Sequence, residues 1–252
     1  MIKISYIIIT WNGRQLLARL LESLKEQMQR SDVEVVVVDN GSTDGTEQFL
    51  KDQYPAIIYS RLTENKGVAF ARNRAIELSS GKYLFVLDND IIANDEALTG
   101  MESYMDEHAD VGLSACRLVF ADGNEQLSYK VYPGLTEKIL NVLHPTRTNN
   151  SYASERATGE PFEPEYVIGA CQVIRREVYQ KVGPIDEHIF YGPEDCDYCL
   201  RVRQSGYKVI YLPNYTLIHF CQRKTTSQPF SKLGRKHIKA LLYFYWKYKR
   251  LL

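Results

Sequence analysis

The sequence has no long apolar run. A membrane-spanning helix needs roughly 20 consecutive apolar residues, and the 252-residue sequence contains no such stretch. The first residues, Met1–Ile4, lead directly into a strand-like segment and not into the apolar core of a signal peptide. We therefore expect a cytoplasmic protein.

A disulfide framework is also lacking. The chain has five cysteines, an odd and scattered set, which disfavours a secreted disulfide-rich fold. Cys196 and Cys199 have the spacing of metal ligands, but no second Cys/His pair follows them. We interpret these two residues as structural thiols on a helix.

No glycine-rich phosphate loop follows the first predicted strand. Neither G-x-G-x-x-G nor G-x-x-x-x-G-K-[ST] occurs there. The sequence thus disfavours a dinucleotide dehydrogenase or a P-loop NTPase. A nucleotide held through its base, its ribose and a metal-bound diphosphate fits better.

Acidic residues are absent from the last part of the chain. The formal net charge is zero, yet Asp197 is the last acid, and twelve Lys and Arg follow it. This asymmetry predicts an anionic partner near the C-terminus. Within residues 235–252, Lys and Arg flank an aromatic block. This composition is typical of helices that lie on anionic membranes. It fits equally well a helix that packs on the protein and exposes a basic face to solvent. A nucleic-acid binder fits less well, because the basic excess is confined to the tail.

Strand-like and helix-like segments alternate through the first part of the sequence. Continuous apolar strands are predicted at 3–10, 33–39 and 83–88, a further strand at 57–62, and helices at 14–30, 46–51 and 65–79. This alternation predicts an α/β fold with a mainly parallel, Rossmann-like sheet flanked by helices. We expect a single continuous domain over 1–220 and a helical C-terminal tail over 221–252.

Polar clusters follow three of these strands. Thr10–Asn12, Asp39–Asn40 and Asp88–Asp90 occupy strand ends, where parallel sheets bind ligands. Asp88 and Asp90 project to the same side of an extended chain, about 6.6 Å apart. Their carboxylates suit Mg²⁺ or Mn²⁺ with a substrate diphosphate, although Asp-Asn-Asp is also ordinary turn chemistry.

Several further residues near this crevice have two interpretations. Asp39 is suited to accept hydrogen bonds from a base or ribose, or to stabilise the following turn. Among Lys66, Arg72 and Arg74, one is expected to meet phosphate oxygens and the others to be solvated helix charges.

Beyond the predicted helix at 96–107, the sequence is less regular. A strand is expected at 111–120, followed by a hairpin-like turn at 121–124. Residues 129–165 are polar and interrupted by prolines, with only 135–143 helix-like, which predicts a functional lid or a disordered segment. Strands are then expected within 166–175, at 208–212 and at 215–219.

Three acids crowd the predicted start of a helix at Glu194. Capping chemistry accounts for part of this pattern, and Asp197 is positioned to pair with Arg201 one turn later. Glu194 or Asp195 is then available as a general base. His219 ends an apolar strand, where it is either a satisfied core residue or a third metal ligand beside Asp88 and Asp90.

These segments together resemble the inverting nucleotide-sugar glycosyltransferases of family 2, which have the GT-A fold. The motifs occur in the family's order: IIITWN (7–12), VVVVDNGSTDGT (35–46), ENKGVAFARN (64–73), LDND (87–90), GACQVIRR (169–176), VGPIDE (182–187), EDCDYCLR (194–201) and His219. The resemblance implies that Asp39 reads the base or ribose and that Asp195, the second acid of the Glu194–Asp195 pair, is the catalytic base. It also implies a D-x-D metal motif at Asp88–Asp90, with His219 as a further contact.

The resemblance further implies a division of labour. Residues 1–119 would bind a UDP- or dTDP-sugar with Mn²⁺ or Mg²⁺, and residues 120–220 would bind a carbohydrate or lipid-linked acceptor. The basic, aromatic tail suits an enzyme of surface polysaccharide or glycolipid assembly at the inner face of the membrane. The implied nucleotide-sugar contacts are Thr10, Trp11, Asn12, Asp39, Asn40, Asn65, Lys66, Arg72, Asp88 and Asn89. Trp11 stands where the family often has Tyr.

Two other functions remain open from the sequence. A sugar-phosphate nucleotidyltransferase would need a glycine-rich, Arg-containing loop after the first strand, and Thr10–Arg14 does not supply it. A non-catalytic nucleotide-sugar-binding module would not need the acids at 88, 90 and 195.

Overall fold

A β-sheet with both parallel and antiparallel strand pairs forms the centre of the molecule. The computed structural model describes residues 1–132, 159–220 and 231–249. The described strands are β1 Ile4–Thr10, β2 Val33–Asp39, β3 Ile58–Arg61, β4 Tyr83–Asp88, β5 Ile91–Ile92, β6 Val111–Val119, β7 Glu125–Gln126, β8 Tyr129–Lys130, β9 Tyr166–Val167, β10 Cys171–Arg175 and β11 Lys208–His219. The described helices are α1 Arg14–Ser23, α2 Lys25–Met28, α3 Thr46–Gln53, α4 Val68–Glu77, α5 Asp95–Glu107, α6 Arg176–Val182, α7 Glu194–Gln204 and α8 Lys232–Tyr248.

Strand order explains how distant residues meet. Within the described ranges the main sheet runs β3-β2-β1-β4-β10-β6-β11-β5, with β7 beside β6. The strands β3, β2, β1 and β4 are parallel, whereas β10 is antiparallel to both β4 and β6. The predicted α/β architecture is confirmed, and parallel pairing joins these first four strands and also β6 with β11. Because Thr10 is level with Asp39 and Ile9 with Asp88, the three polar strand ends share one edge.

Alternation along the strands fills two core layers. On β1, Tyr6 and Ile8 pack with Leu17 and Leu20 of α1 on one face of the sheet. The intervening Ile7 packs on the opposite face, in a cluster that includes residues of α4, α6 and α7. Burial on both faces accounts for the continuous apolar runs that the sequence contains.

Two predicted elements differ from the structure. The helix expected at 14–30 is divided at Leu24, and the hydroxyl of Ser23 donates to the carbonyl of Leu20 at this break. The strands expected at 208–212 and 215–219 are one strand, β11. Its register against β6 shifts between Leu212 and Thr216, so that an irregularity accommodates Pro213 within the strand.

The first residues of the segment that was expected to be irregular form a strand. Tyr129–Lys130 forms β8, which pairs with Tyr166–Val167 of β9, although 129–165 was expected to be irregular from its start. The helix expected at 135–143 lies outside the described residues. The predicted hairpin turn at 121–124 is confirmed by the β6–β7 pairing and by the Phe120 amide, which donates to Asn124 O.

The C-terminal helix α8 packs against α7. Phe244 and Tyr248 are buried beside Cys196, and Lys247 lies 2.6 Å from both Asp186 and Asp197. One of the two interpretations of the tail, a helix packed on the protein, therefore describes this face of α8. In the portions of the chain that the structure describes, no helix has the length and apolarity to cross a bilayer.

Candidate active site

A cleft of about 580 Å³ opens at the shared edge of the sheet. Most of the candidate residues line it, although they come from distant parts of the sequence. The ones that line the cleft are Thr10, Trp11, Asn40, Asn65, Arg72, Asp88, Asn89, Glu194, Asp195 and His219. The structure thus places the acids from β4 and from α7 around one cleft.

Three side chains form a candidate metal site. Asp88, Asp90 and His219 each offer a ligand atom, and these atoms lie within 4.8 Å of one another. His219 Nε2 is 3.1 Å from Asp90 Oδ1. Burial alone would lower the pKa of His219, but the hydrogen bond to Asp90 and the nearby carboxylate charges raise it. Two carboxylates and one imidazole fit a divalent cation.

Gln126 orients this histidine. Its side-chain oxygen lies 2.7 Å from His219 Nδ1, and because an amide oxygen only accepts, Nδ1 must donate. The other ring nitrogen, Nε2, is thereby directed at Asp90. No local sequence pattern indicated a role for Gln126, a polar residue in a two-residue strand.

Arg72 connects the metal-site acids with the acidic start of α7. Its Nη2 donates to Asp88 Oδ1 at 2.7 Å and to Gly169 O at 2.8 Å, and its Nη1 lies 3.5 Å from Glu194 Oε1. The guanidinium is buried, with 4% of the side chain exposed. Arg72 therefore supplies a buried counter-charge to two carboxylates, of which Glu194 is 9% and Asp88 34% exposed.

The two acids at the start of α7 have different surroundings. Glu194 is buried, and burial together with the charge of Asp195 raises its pKa to about 7 against the opposing charge of Arg72. Asp195 is only half-buried and accepts hydrogen bonds from the amides of Gly169, at 3.1 Å, and Cys196, at 2.7 Å. Asp195 is therefore the accessible carboxylate of the pair.

Asp39 is fully buried and is not one of the residues that line the cleft. It accepts hydrogen bonds from the Ser42 amide at 2.7 Å and from the Tyr59 hydroxyl at 3.0 Å. These contacts are the turn-stabilising role considered for this residue. Its contact with a base or ribose stays a prediction.

Asparagines shape the donor side of the cleft. Asn40 Nδ2 donates to Asn65 Oδ1 and to Gly67 O, both at 3.1 Å, which joins the loop after β2 to the start of α4. Asn89 Nδ2 donates to Thr10 Oγ1 at 2.9 Å and joins the loops after β1 and β4. These side-chain hydrogen bonds thus hold four loops together in two pairs.

Other candidates lie away from the lining. Asn12 accepts from the Thr43 amide at 2.8 Å, and Lys66 is exposed with its ammonium 4.9 Å from the Phe70 ring centroid. Arg74 is exposed and lies 3.2 Å from Glu77. Of the three cations considered for phosphate contact, Arg72 is the one in the cleft, and it already holds carboxylates.

The far wall of the cleft comes from segments that sequence reasoning missed. Phe190, Tyr191, His237 and Leu241 line it, the last two from α8. His237 Nδ1 lies 3.1 Å from Tyr191 O and 3.0 Å from Gly192 O. Aromatic and polar side chains of this kind are typical of the walls of ligand-binding clefts. Helix α8 follows α7 only after β11, and no local sequence pattern indicates that α8 lies beside the cleft.

The fold and this cleft define a class of protein: a GT-A-type glycosyltransferase. The chain belongs to glycosyl transferase family 2, which matches residues 5–183. The family resemblance expected from the motifs is confirmed, and the chain is a glycosyltransferase.

Relatives and solved structures agree with this assignment. The N-acetylglucosaminyl-diphospho-decaprenol L-rhamnosyltransferase of Mycobacterium tuberculosis (strain CDC 1551 / Oshkosh) is 28% identical over 247 residues, which cover 92% of this chain and 80% of the relative. The dTDP-rhamnosyl transferase RfbF of Shigella flexneri is 29% identical over 84% of this chain and 67% of its own length. The mannosyltransferase PcManGT from Pyrobaculum calidifontis, solved in complex with GDP-Man and Mn²⁺, superposes with a TM-score of 0.67 at 21% identity, over 98% of this chain and 64% of that chain. This last likeness shows the shared fold.

Proposed function

We propose that the protein is an inverting, metal-dependent transferase that moves a sugar from a UDP- or dTDP-sugar to a hydroxyl acceptor. The observation that carries the proposal is the connection between the two acid groups. Gly169 donates its amide to Asp195 and accepts from Arg72, which in turn holds Asp88. A donor diphosphate at the metal-site acids and a base at α7 would therefore face one small volume.

Asp195 has the role of general base in this proposal. It takes the proton of the acceptor hydroxyl while that oxygen attacks the anomeric carbon from the side opposite the diphosphate. A new carbon–oxygen bond forms, the bond to the diphosphate oxygen breaks, and the anomeric centre inverts. Glu194 and Arg72 act as positioning residues, because both are buried behind the reacting groups.

The donor set supports a divalent cation, and it favours Mn²⁺ over Mg²⁺. Asp88, Asp90 and His219 supply two oxygen ligands and one nitrogen ligand, whereas Mg²⁺ sites are typically built from oxygen ligands alone. When bound, the cation would neutralise charge on the departing nucleoside diphosphate. Asn40, Asn65 and Trp11 are the proposed donor contacts on the lining.

The acceptor is proposed to be a lipid-linked carbohydrate in surface polysaccharide assembly. A relative with 28% identity is named for a decaprenol-linked acceptor, and another is named for dTDP-rhamnosyl transfer. Such acceptors are presented at the membrane, which supports a cytoplasmic enzyme that works at its inner face.

A thermal-shift panel of UDP, dTDP and GDP, with and without Mn²⁺, tests the donor site. We expect UDP or dTDP with Mn²⁺ to raise Tm by about 5–10 °C at 100 times its Kd. Asp90→Ala should lose this shift, whereas Asp195→Asn should keep it and lower hydrolysis of the matching nucleotide sugar by about 10²–10⁴-fold. Formation of a nucleotide sugar from an NTP and a sugar 1-phosphate would contradict the proposal.

A further inference from the structure

Helix α8 has one face that is closed by the rest of the protein. Phe244 and Tyr248 are buried beside Cys196, and the Tyr248 hydroxyl donates to Asp197 at 2.8 Å. Lys247 pairs with Asp197, which is itself fully buried. These contacts fix the rotation of α8 about its own axis.

The opposite face of α8 is open and combines apolar with basic side chains. Ile238, Leu242 and Trp246 are 45%, 66% and 67% exposed. At 3.6 residues per turn, the six exposed residues fall within an arc of about 100°. These six, which we call the open face, are Arg235, Ile238, Lys239, Leu242, Trp246 and Lys249.

No acid accompanies the cations of the open face. The sequence contains no Asp or Glu after Asp197. Within 1–132, 159–220 and 231–249, no ion pair involves Arg235, Lys239 or Lys249. The open face thus combines three large apolar side chains with charged side chains that are all positive.

We propose that the open face of α8 is a docking surface for an anionic phospholipid bilayer. An aromatic and two aliphatic side chains between exposed Lys and Arg match the interfacial zone, where apolar groups enter the acyl boundary and cations meet lipid phosphates. Charge complementarity selects this occupant. A second copy of the chain, docked symmetrically through the same face, would bring like charges together.

The same helix connects this surface with the cleft. His237 and Leu241 line the far wall of the cleft. At about 100° per residue, His237 falls between Phe244 and Tyr248 on the closed face of α8, and Leu241 falls at the edge of that face. Helix α8 would therefore lie between a bilayer on the open face and the far wall of the cleft, so that a lipid-linked acceptor would reach the cleft past this helix. This orientation, unlike the docking itself, rests on the proposed function, since it concerns a lipid-linked acceptor.

Flotation of the full-length protein with vesicles tests the docking. We expect binding to vesicles of 70% phosphatidylcholine and 30% phosphatidylglycerol at low salt, and little binding to pure phosphatidylcholine. Replacement of Arg235, Lys239 and Lys249 together by Gln should weaken binding about a hundredfold, at roughly fivefold per charge. The matched control replaces three exposed lysines on other helices, Lys25, Lys51 and Lys181, by Gln and should leave binding unchanged.

A second variant, Leu242→Ser with Trp246→Ser, tests the apolar contribution and should also weaken binding. Point variants are used because removal of α8 would strip Asp197 of two partners. The proposal is overturned if the wild type fails to float with anionic vesicles, if both open-face variants bind as the wild type does, or if light scattering shows that the open face forms a dimer instead. The nucleotide thermal shift of each variant reports separately on the donor site, so failure of docking and failure of the transferase assignment are distinguishable.

Discussion

At the scale of the residue, Arg72 is the side chain on which the site's electrostatic balance depends. Arg72→Met would leave Asp88 and Glu194 without their shared counter-charge, and we expect a loss of about 3 kcal/mol in unfolding free energy. Arg74→Met, on the exposed side of the same helix, should change it by less than about 0.5 kcal/mol. Urea unfolding measures both, and equal midpoints for the two variants would contradict the assigned role.

Glu194 gives a pH dependence of stability. Burial and Asp195 raise its pKa from 4.5 to about 7, so the folded state holds this proton more tightly than the unfolded state. The resulting stabilisation is complete below pH 4.5 and is lost as the pH rises towards and through 7. Glu194→Gln removes this titration. Unfolding free energies at pH 5 and pH 8 should show a decline in the wild type, relative to the variant, of about 2–3 kcal/mol; a pH-independent difference between the two proteins would refute it.

The sequence was sufficient to predict which residues reach the cleft where polar side chains stand at the ends of strands. Asp88, Asn40 and Thr10 follow continuous apolar runs, and parallel strands align their carboxyl ends at one edge. The partners of Arg72 were not predictable. Gly169 and Glu194 are distant in the sequence, and an arginine on a helix has the same local pattern whether it is buried or solvated.

At the scale of the element, the β6–β7 hairpin supports the end of β11. Gln126 of β7 holds Nδ1 of His219, and such supporting hydrogen bonds typically change metal affinity 10–100-fold. We expect Gln126→Leu to weaken Mn²⁺ binding by about that factor, as measured from free Mn²⁺ by electron paramagnetic resonance. Gln48→Leu, at an exposed position on α3, should bind Mn²⁺ as the wild type does. Equal affinities for the two variants would show that His219 needs no such support.

Element types were predictable from periodicity, whereas interruptions depended on tertiary contacts. The break at Leu24 involves Ser23, whose hydroxyl also accepts from the Ala93 amide near β5, 70 residues away. The continuity of β11 through Pro213 depends on pairing with β6. Neither partner is visible in the local sequence.

At the scale of the whole molecule, the two expected halves share one sheet. Strand β10, from the second half, is inserted between β4 and β6 of the first. This insertion brings Gly169 against Arg72 and places α7, the helix that carries Asp195, across the cleft from β4. Strand-helix alternation did not predict this insertion, because alternation places neighbouring strands of the chain side by side. It gives no indication of an antiparallel strand whose residues, such as Cys171 opposite Leu87, are 84 residues away.

Gly169 is therefore the point at which the two halves are coupled. A Cβ at this position would lie 2.6 Å from Arg72 Nη1, so alanine must displace a guanidinium that three acceptors hold. We expect Gly169→Ala to weaken Mn²⁺ binding and to slow nucleotide-sugar hydrolysis, each by about 5–150-fold, as overpacking costs of about 1–3 kcal/mol imply. The double variant with Arg72→Met supplies the control, because the effect of alanine should vanish once the guanidinium is absent. Additive losses in that cycle would show that Gly169 acts through its own backbone and not through Arg72.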